Sequence, residues 1–289
     1  LLIFGLTGWI KLVMERLPMP IVMGMVAGVF VEFGLDWIRA FETDFVLVSA
    51  MTVVFFALTA LQNYQKIFPP MIGVLVVGAF FIFFQDYDVT TEPYHGAIFA
   101  TPRIIVPAFS LPAAFELVLP LAITVVAAQN AQGIVILRSA GHLPPVNAIT
   151  TACGTASLFT TFFGCVSSCL TGPSNAILVS SGSIERHWIA AIILGGMAIV
   201  FGIFAPAVTN LLIATPAAFL STLAGLALIR TLQSAFQTAF GAGFPVGALI
   251  AFLITFAGLP ILNIGSPFWG LLFGLIASFL LEKESYSKK

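Results

Sequence analysis

Two short polar clusters interrupt a sequence that is otherwise almost entirely apolar. The first is AAQNAQG at 127–133, and the second is SSCLTGPSNAILVSSG at 167–182. Neither contains a charged residue, so the chemistry available to them is hydrogen bonding by amides, hydroxyls and free backbone groups. The residues with which they could bind a small molecule are Gln129, Asn130, Gln132, Thr171, Gly172, Pro173, Ser174 and Asn175.

The Gly172–Pro173 pair predicts a break in a helix. Pro173 has no backbone N–H, and Gly172 permits a turn that other residues resist. A helix that begins near Ser174 would leave its first N–H groups unpaired. These groups, together with the positive end of the helix dipole, form a site for an anion such as a carboxylate. The alternative is a continuous, proline-kinked helix whose hydroxyls bond to its own carbonyls.

The three amides of the first cluster need partners. Uncompensated amides are costly in hydrocarbon, so Gln129, Asn130 and Gln132 must face protein, water or a ligand. Hydrogen bonding between neighbouring helices is one interpretation. The presence of two such clusters favours a second interpretation, in which both line one cavity.

The elements that position these clusters are membrane helices. Hydrophobic residues make up 60% of the chain and charged residues only 8%, whereas about a quarter of a soluble domain is charged. Charge-free runs reach the roughly 20 residues that cross a bilayer. We therefore expect an all-α polytopic membrane protein in a lipid bilayer with ten transmembrane helices. The predicted spans are 18–38, 45–65, 68–84, 113–137, 145–164, 170–184, 187–212, 216–235, 243–262 and 266–282.

The basic residues predict the orientation of these spans. Nine lysines and arginines fall in loops on one side, and only Arg39 and Arg103 fall on the other. Because cytoplasmic loops carry the excess of positive charge, the first side and the C-terminus are expected to be cytoplasmic. The net charge of −1 argues against nucleic acid as a partner.

An internal repeat relates residues 27–73 to residues 224–270. The segments AFETDF at 40–45 and AFQTAF at 235–240 occupy equivalent positions in the two copies. Equivalent spans are seven apart, so the copies have opposite orientations in the membrane, as in many secondary transporters. The repeat predicts four further helices before Leu1, which would make this sequence a truncated one.

Other polar residues give weaker indications. Glu116 lies within a predicted span and is a candidate for proton coupling, although its position near the external end of the helix favours contact with interfacial water over a proton relay. Cys165 and Cys169 would share a helical face, yet with no histidine or carboxylate beside them we expect packing rather than metal binding. No motif for ATP hydrolysis, metalloprotease or esterase chemistry occurs, so no enzyme, cofactor or metal is expected.

The segment AAQNAQGIVILRSAGHLPPVNAITTACGTASLFTTFFG at 127–164 resembles the signature region of the benzoate membrane transporters, which are benzoate:proton symporters. RLPMPIVMGMVAGVFVEFGLD at 16–36 resembles a further helix of this family, and the resemblance extends over essentially all 289 residues. By contrast, LTGPSNAIL at 170–178 differs from the benzoate transporters at the corresponding helix. The resemblance also implies that four further helices of the family precede Leu1.

The resemblance implies an inverted repeat of seven plus seven helices, as in the uracil permeases. Residues 1–85 would then be gate helices of the first repeat, and 86–112 an external loop. Core helices of the second repeat would span 113–212, and its gate helices and cytoplasmic tail 213–289. Substrate would lie beside the eighth helix, 113–137, and the half-helix at 170–184. Gln129 and Asn130 would occupy the position where nucleobase permeases have an acidic residue.

The function predicted is secondary active transport across a bacterial inner membrane. The leading hypothesis is proton-coupled import of benzoate or a similar aromatic carboxylate, with the proton carried either by the substrate acid or by Glu116. Two alternatives are a carrier of a nucleobase or another organic anion, and a truncated membrane partner without transport activity. The motifs Gly24-x-x-x-Gly28 and Gly243-x-x-x-Gly247 permit close helix contact, so a homodimer is a further expectation.

Overall fold

The computed structural model is built from helices. It describes residues 1–8, 17–61, 69–84, 97–106, 108–111, 118, 121–122, 124–180, 182–241, 243–262 and 264–287. Within these ranges no β-strand occurs, and the one isolated bridge joins Ile261 to Ile264. The protein is therefore all-α in its described part, as predicted. Glu116, the candidate for proton coupling, lies outside the described residues.

Thirteen α-helices are described. They are α1 (Leu2–Thr7), α2 (Met19–Thr43), α3 (Phe45–Ala60), α4 (Pro70–Phe84), α5 (Asn130–Ser139), α6 (Val146–Thr160), α7 (Gly172–Val179), α8 (His187–Ile203), α9 (Ala205–Ala214), α10 (Ala217–Phe240), α11 (Pro245–Ala257), α12 (Ser266–Leu281) and α13 (Lys283–Ser287). A π-helical turn, Thr124–Gln129, leads directly into α5. In the part of the chain that the structure describes, three helical stretches are both long and apolar enough to cross a membrane: Met19–Thr43, Ile184–Ile203 and Ala217–Phe240.

Local sequence explains where several helices begin and end. Asp44 precedes α3, and its carboxylate accepts a hydrogen bond of 3.0 Å from Leu47 N–H. Gly258 ends α11 with a φ of 69°, a left-handed conformation that glycine adopts without strain. The predicted span 187–212 is interrupted at Phe204, because Pro206 fits the first turn of a new helix better than a helix interior. Helix α1 was not predicted, and it packs against α6.

One compact unit comprises residues 1–31, 102–187 and 230–289. Glycines allow its helices to approach closely. Gly24 of α2 lies against the backbone of Ala248 in α11, and Gly28 lies against Thr255. Gly247 of α11 similarly faces Gly274 of α12. These small residues are therefore used in contacts inside the unit, and the homodimer stays a prediction.

The other compact unit comprises residues 32–101 and 188–229. Its core is formed by side chains from α2, α3, α4 and α10, including Trp37, Met51, Val74 and Phe219. The indole N–H of Trp37 donates a hydrogen bond of 3.0 Å to Thr52 Oγ1, which satisfies the polar group of an otherwise buried ring. Helix α8 has no buried residue in the described structure, as expected for a helix that faces lipid.

Candidate functional site

Helical structure is interrupted where the Gly172–Pro173 pair predicts a break in a helix. Helix α6 ends at Thr160, and a 3₁₀ turn then leads to Gly164, which has a φ of 71°. Residues 165–171 have no helical structure, and α7 begins at Gly172, two residues earlier than predicted. Thr171 caps this helix in an extended conformation, with Pro173 in the first turn. The continuous, kinked helix is therefore excluded.

The two polar clusters meet at this break. The N–H of Leu170 donates a hydrogen bond of 2.8 Å to Oδ1 of Asn130, at the start of α5. Asn130 is completely buried. Because its Oδ1 is the acceptor, its Nδ2 must be the donor atom, and that Nδ2 has no partner among the described residues. The site therefore contains a buried amide donor suited to an acceptor atom from a ligand.

Two glycines allow the broken segment to lie against α5. A Cβ on Gly133 would lie 2.6 Å from Cγ of Leu170 and closer still to the Leu170 carbonyl oxygen. A Cβ on Gly172 would lie 2.7 Å from Oε1 of Gln132. Both contacts are shorter than side chains tolerate, so only glycine fits without displacement of a neighbour. Gly133 was not predicted as part of the site.

The first turn of α7 is organised by Asn175. Its Nδ2 donates a hydrogen bond of 2.6 Å to the carbonyl oxygen of Thr171, which also accepts a longer bond of 3.4 Å from Asn175 N–H. No described residue accepts a hydrogen bond from the N–H groups of Gly172 or Ser174. These N–H groups are at the positive end of the dipole of α7, which favours a negatively charged ligand.

The remaining predicted site residues are Gln129, Gln132 and Ser174. Gln132 is buried beside Gly172, whereas Gln129 is half-buried at the end of the π-helical turn. Ser174 is exposed. The turn itself was missed by sequence reasoning, because one extra residue in a helix leaves no mark in apolar periodicity; such turns are frequent at functional sites.

The cysteines require one correction. Cys165 and Cys169 do not share a helical face, because residues 165–171 are not helical. All three cysteines, including Cys153, are free thiols. In the described part of the chain, no group of three or more His, Cys, Asp or Glu residues is arranged to hold a metal ion.

Comparison with known proteins places this geometry in context. The family model for benzoate membrane transport proteins matches residues 1–280. The inner membrane protein YdcO of Escherichia coli (strain K12) is 31% identical over 283 residues, which cover 96% of this chain and 71% of that protein. The benzoate membrane transport protein of Acinetobacter baylyi is 30% identical over 290 residues, covering 98% of this chain and 71% of the relative. No solved structure matches the chain.

Proposed function

The chain belongs to the benzoate membrane transport protein family, and from this premise we propose that it imports benzoate or a similar aromatic carboxylate by proton-coupled alternating access. The relative from Acinetobacter baylyi is a benzoate membrane transport protein, which supports benzoate as the substrate. The relative from Escherichia coli is an inner membrane protein, which supports a location in a bacterial inner membrane. The class of protein is thus a membrane transport protein rather than an enzyme.

The observation that carries the proposal is the buried, unpaired Nδ2 of Asn130 at the break before α7. A carboxylate oxygen would accept a hydrogen bond from this Nδ2. The second oxygen would face the N–H groups of Gly172 and Ser174 at the start of α7. Hydrogen bonds to an ionised acceptor are about twice as strong as neutral ones, so this arrangement favours the ionised acid.

The side-chain amide of Gln129 also suits a negatively charged substrate. An acidic residue in place of Gln129 or Asn130 would repel a carboxylate, whereas an amide does not. In this proposal Gln129, Gln132 and Thr171 orient the substrate. Pro173 has no backbone N–H and therefore contributes no donor to the first turn of α7. The coupling proton travels either with the substrate acid or on Glu116.

The inverted repeat in the sequence is the reason for proposing alternating access. Ten membrane spans, with core helices at 113–212 and gate helices at 1–85 and 213–289, would rock against each other around the break. The repeat in the sequence and the half-helix at Gly172–Val179 support this part of the proposal.

The test is uptake of radiolabelled benzoate into proteoliposomes under an imposed pH gradient. We expect accumulation that collapses when a protonophore removes the gradient. Asn175→Ala should reduce uptake at least about tenfold, because it removes a hydrogen bond that orders the first turn of α7. Asn210→Ala is the matched control, since Asn210 is exposed on α9.

Two results would contradict the proposal. One is the absence of gradient-dependent benzoate uptake by the wild-type protein, with correct folding shown by its elution as a single species. The other is equal uptake by the Asn175 and Asn210 variants. Excess unlabelled uracil should leave benzoate uptake unchanged, and strong competition by uracil would favour the nucleobase carrier.

A further inference from the structure

A cavity lies within the unit that contains the break, at the opposite end of α7 from Gly172. Its volume is about 180 Å³. The helices that contribute to it are α2, α5, α7 and α10, and every lining residue belongs to that one unit. An eight-residue helix is roughly 12 Å long, so the cavity is about one short helix away from the Gly172 end of α7.

Among the described residues that line this cavity, Arg230 alone is charged. It makes no ion pair or hydrogen bond with the described part of the chain. Two of the hydroxyls that line the cavity are already engaged as donors: Ser139 donates to Ile136 O and Ser180 donates to Ile177 O, each at 2.8 Å. The exposed guanidinium of Arg230 supplies free donors beside the hydroxyls of Thr231 and Ser234, and its planar geometry matches both oxygens of a carboxylate.

Apolar side chains form much of the remaining lining. Met23, Ile136 and Val179 are among them, and Ile136 is almost completely buried. An apolar cavity of about 150 Å³ is sufficient to hold benzene, so this volume accommodates one aromatic ring. Met23 lines the cavity, and methionine makes favourable contacts with the edges of aromatic rings. The lining thus offers apolar side chains to a ring and the guanidinium of Arg230 to a carboxylate.

The charges around the cavity predict that a carboxylate binds there only weakly. Helices α5 and α7 end at Ser139 and Val179, so the negative ends of two helix dipoles are directed toward the cavity. Each helix end carries about half a unit of negative charge, which offsets much of the attraction from Arg230. A carboxylate would bind here and leave readily.

We propose that the Arg230 cavity is a second, low-affinity site for an aromatic carboxylate, occupied as the substrate leaves toward the cytoplasm. The proposal rests on the proposed function for the identity of the ligand. Its position agrees with the charge distribution, because Arg138, Arg186 and Arg230 all fall on the side predicted to be cytoplasmic.

The test compares transport from the two faces of the membrane. Right-side-out vesicles present the external face to labelled benzoate, and inverted vesicles present the cytoplasmic face. Arg230→Gln should raise KM about tenfold for inverted vesicles, because a charge-assisted hydrogen bond is lost, and leave KM for right-side-out vesicles unchanged. Arg186→Gln is the matched control, since Arg186 is exposed in the turn before α8 and does not line the cavity.

A cavity-filling variant gives an independent check. Ser234→Phe places a ring in the cavity while Arg230 remains, and it should raise KM from the cytoplasmic face as Arg230→Gln does.

Equal changes of KM at both faces, or no change at either face, would overturn the proposal. If the wild-type protein transports no benzoate, the proposed function fails. Equilibrium binding of labelled benzoate to the purified Arg230 and Arg186 variants then decides the cavity alone, and equal binding by the two overturns it.

Discussion

Asn130 is the central residue of the proposed site. Its buried Oδ1 accepts a hydrogen bond from Leu170 N–H, and its Nδ2 has no partner in the described part of the chain. The sequence predicts that an amide at this depth needs a partner. It does not predict that the partner is a backbone group 40 residues away, because apolar patterns contain no information on which loop packs against which helix. The contact of 2.9 Å between His142 and His187 was missed for the same reason.

Asn130→Asp separates these two roles. The introduced carboxyl group retains an acceptor for Leu170 N–H but removes the Nδ2 donor and adds an acidic group beside the proposed carboxylate. We expect the affinity for benzoate to fall at least about tenfold. The measurement is equilibrium binding of radiolabelled benzoate to purified protein, with Asn210→Asp as the matched control. Unchanged affinity in the Asn130 variant would contradict the assignment of this residue.

The elements were predictable to different degrees. Each predicted span for which residues are described contains a helix, because long apolar runs between Gly, Pro and charged residues determine where membrane helices form. The break before α7 was also predictable, since Pro173 cannot donate in a helix interior. The interruption at Phe204 and the π-helical turn before α5 depend on local packing, which residue spacing does not encode.

Gly133→Ala tests the packing of the broken segment against α5. The added methyl group would meet Leu170 and push residues 165–171 away from the helix. We expect a loss of about 1–3 kcal/mol in stability, measured as a lower unfolding temperature in detergent, together with reduced benzoate binding. Gly195→Ala is the matched control, because a Cβ there meets no atom within 4 Å, and it should be neutral or slightly stabilising. Equal unfolding temperatures for the two variants would contradict the close contact between Gly133 and Leu170.

At the scale of the whole molecule, the distribution of charge carries the predicted orientation. If the ten predicted spans are correct, nine basic residues lie on one side and two on the other, and this prediction needs no knowledge of packing. The division of the described chain into two compact units, in contrast, depends on contacts between distant segments such as 1–31 and 230–289. Those contacts could not be predicted from composition or periodicity.

Single cysteines introduced into a cysteine-free variant test the orientation. Arg103→Cys should react with a membrane-impermeant maleimide in intact cells, because Arg103 is exposed in the connection predicted to be external. Arg186→Cys and Ser285→Cys should react only after the membrane is permeabilised. Labelling of position 186 or 285 in intact cells would reverse the predicted sides.

The central claim is that a break in the chain directs hydrogen-bond donors and the positive end of α7 toward a negatively charged group. The most direct measurement compares the equilibrium affinities of the purified protein for benzoate and for benzamide, which has nearly the same shape without the charge. The account predicts that benzoate binds at least about tenfold more tightly, because hydrogen bonds to a charged acceptor are the stronger ones. Equal affinities, or tighter binding of benzamide, would contradict it.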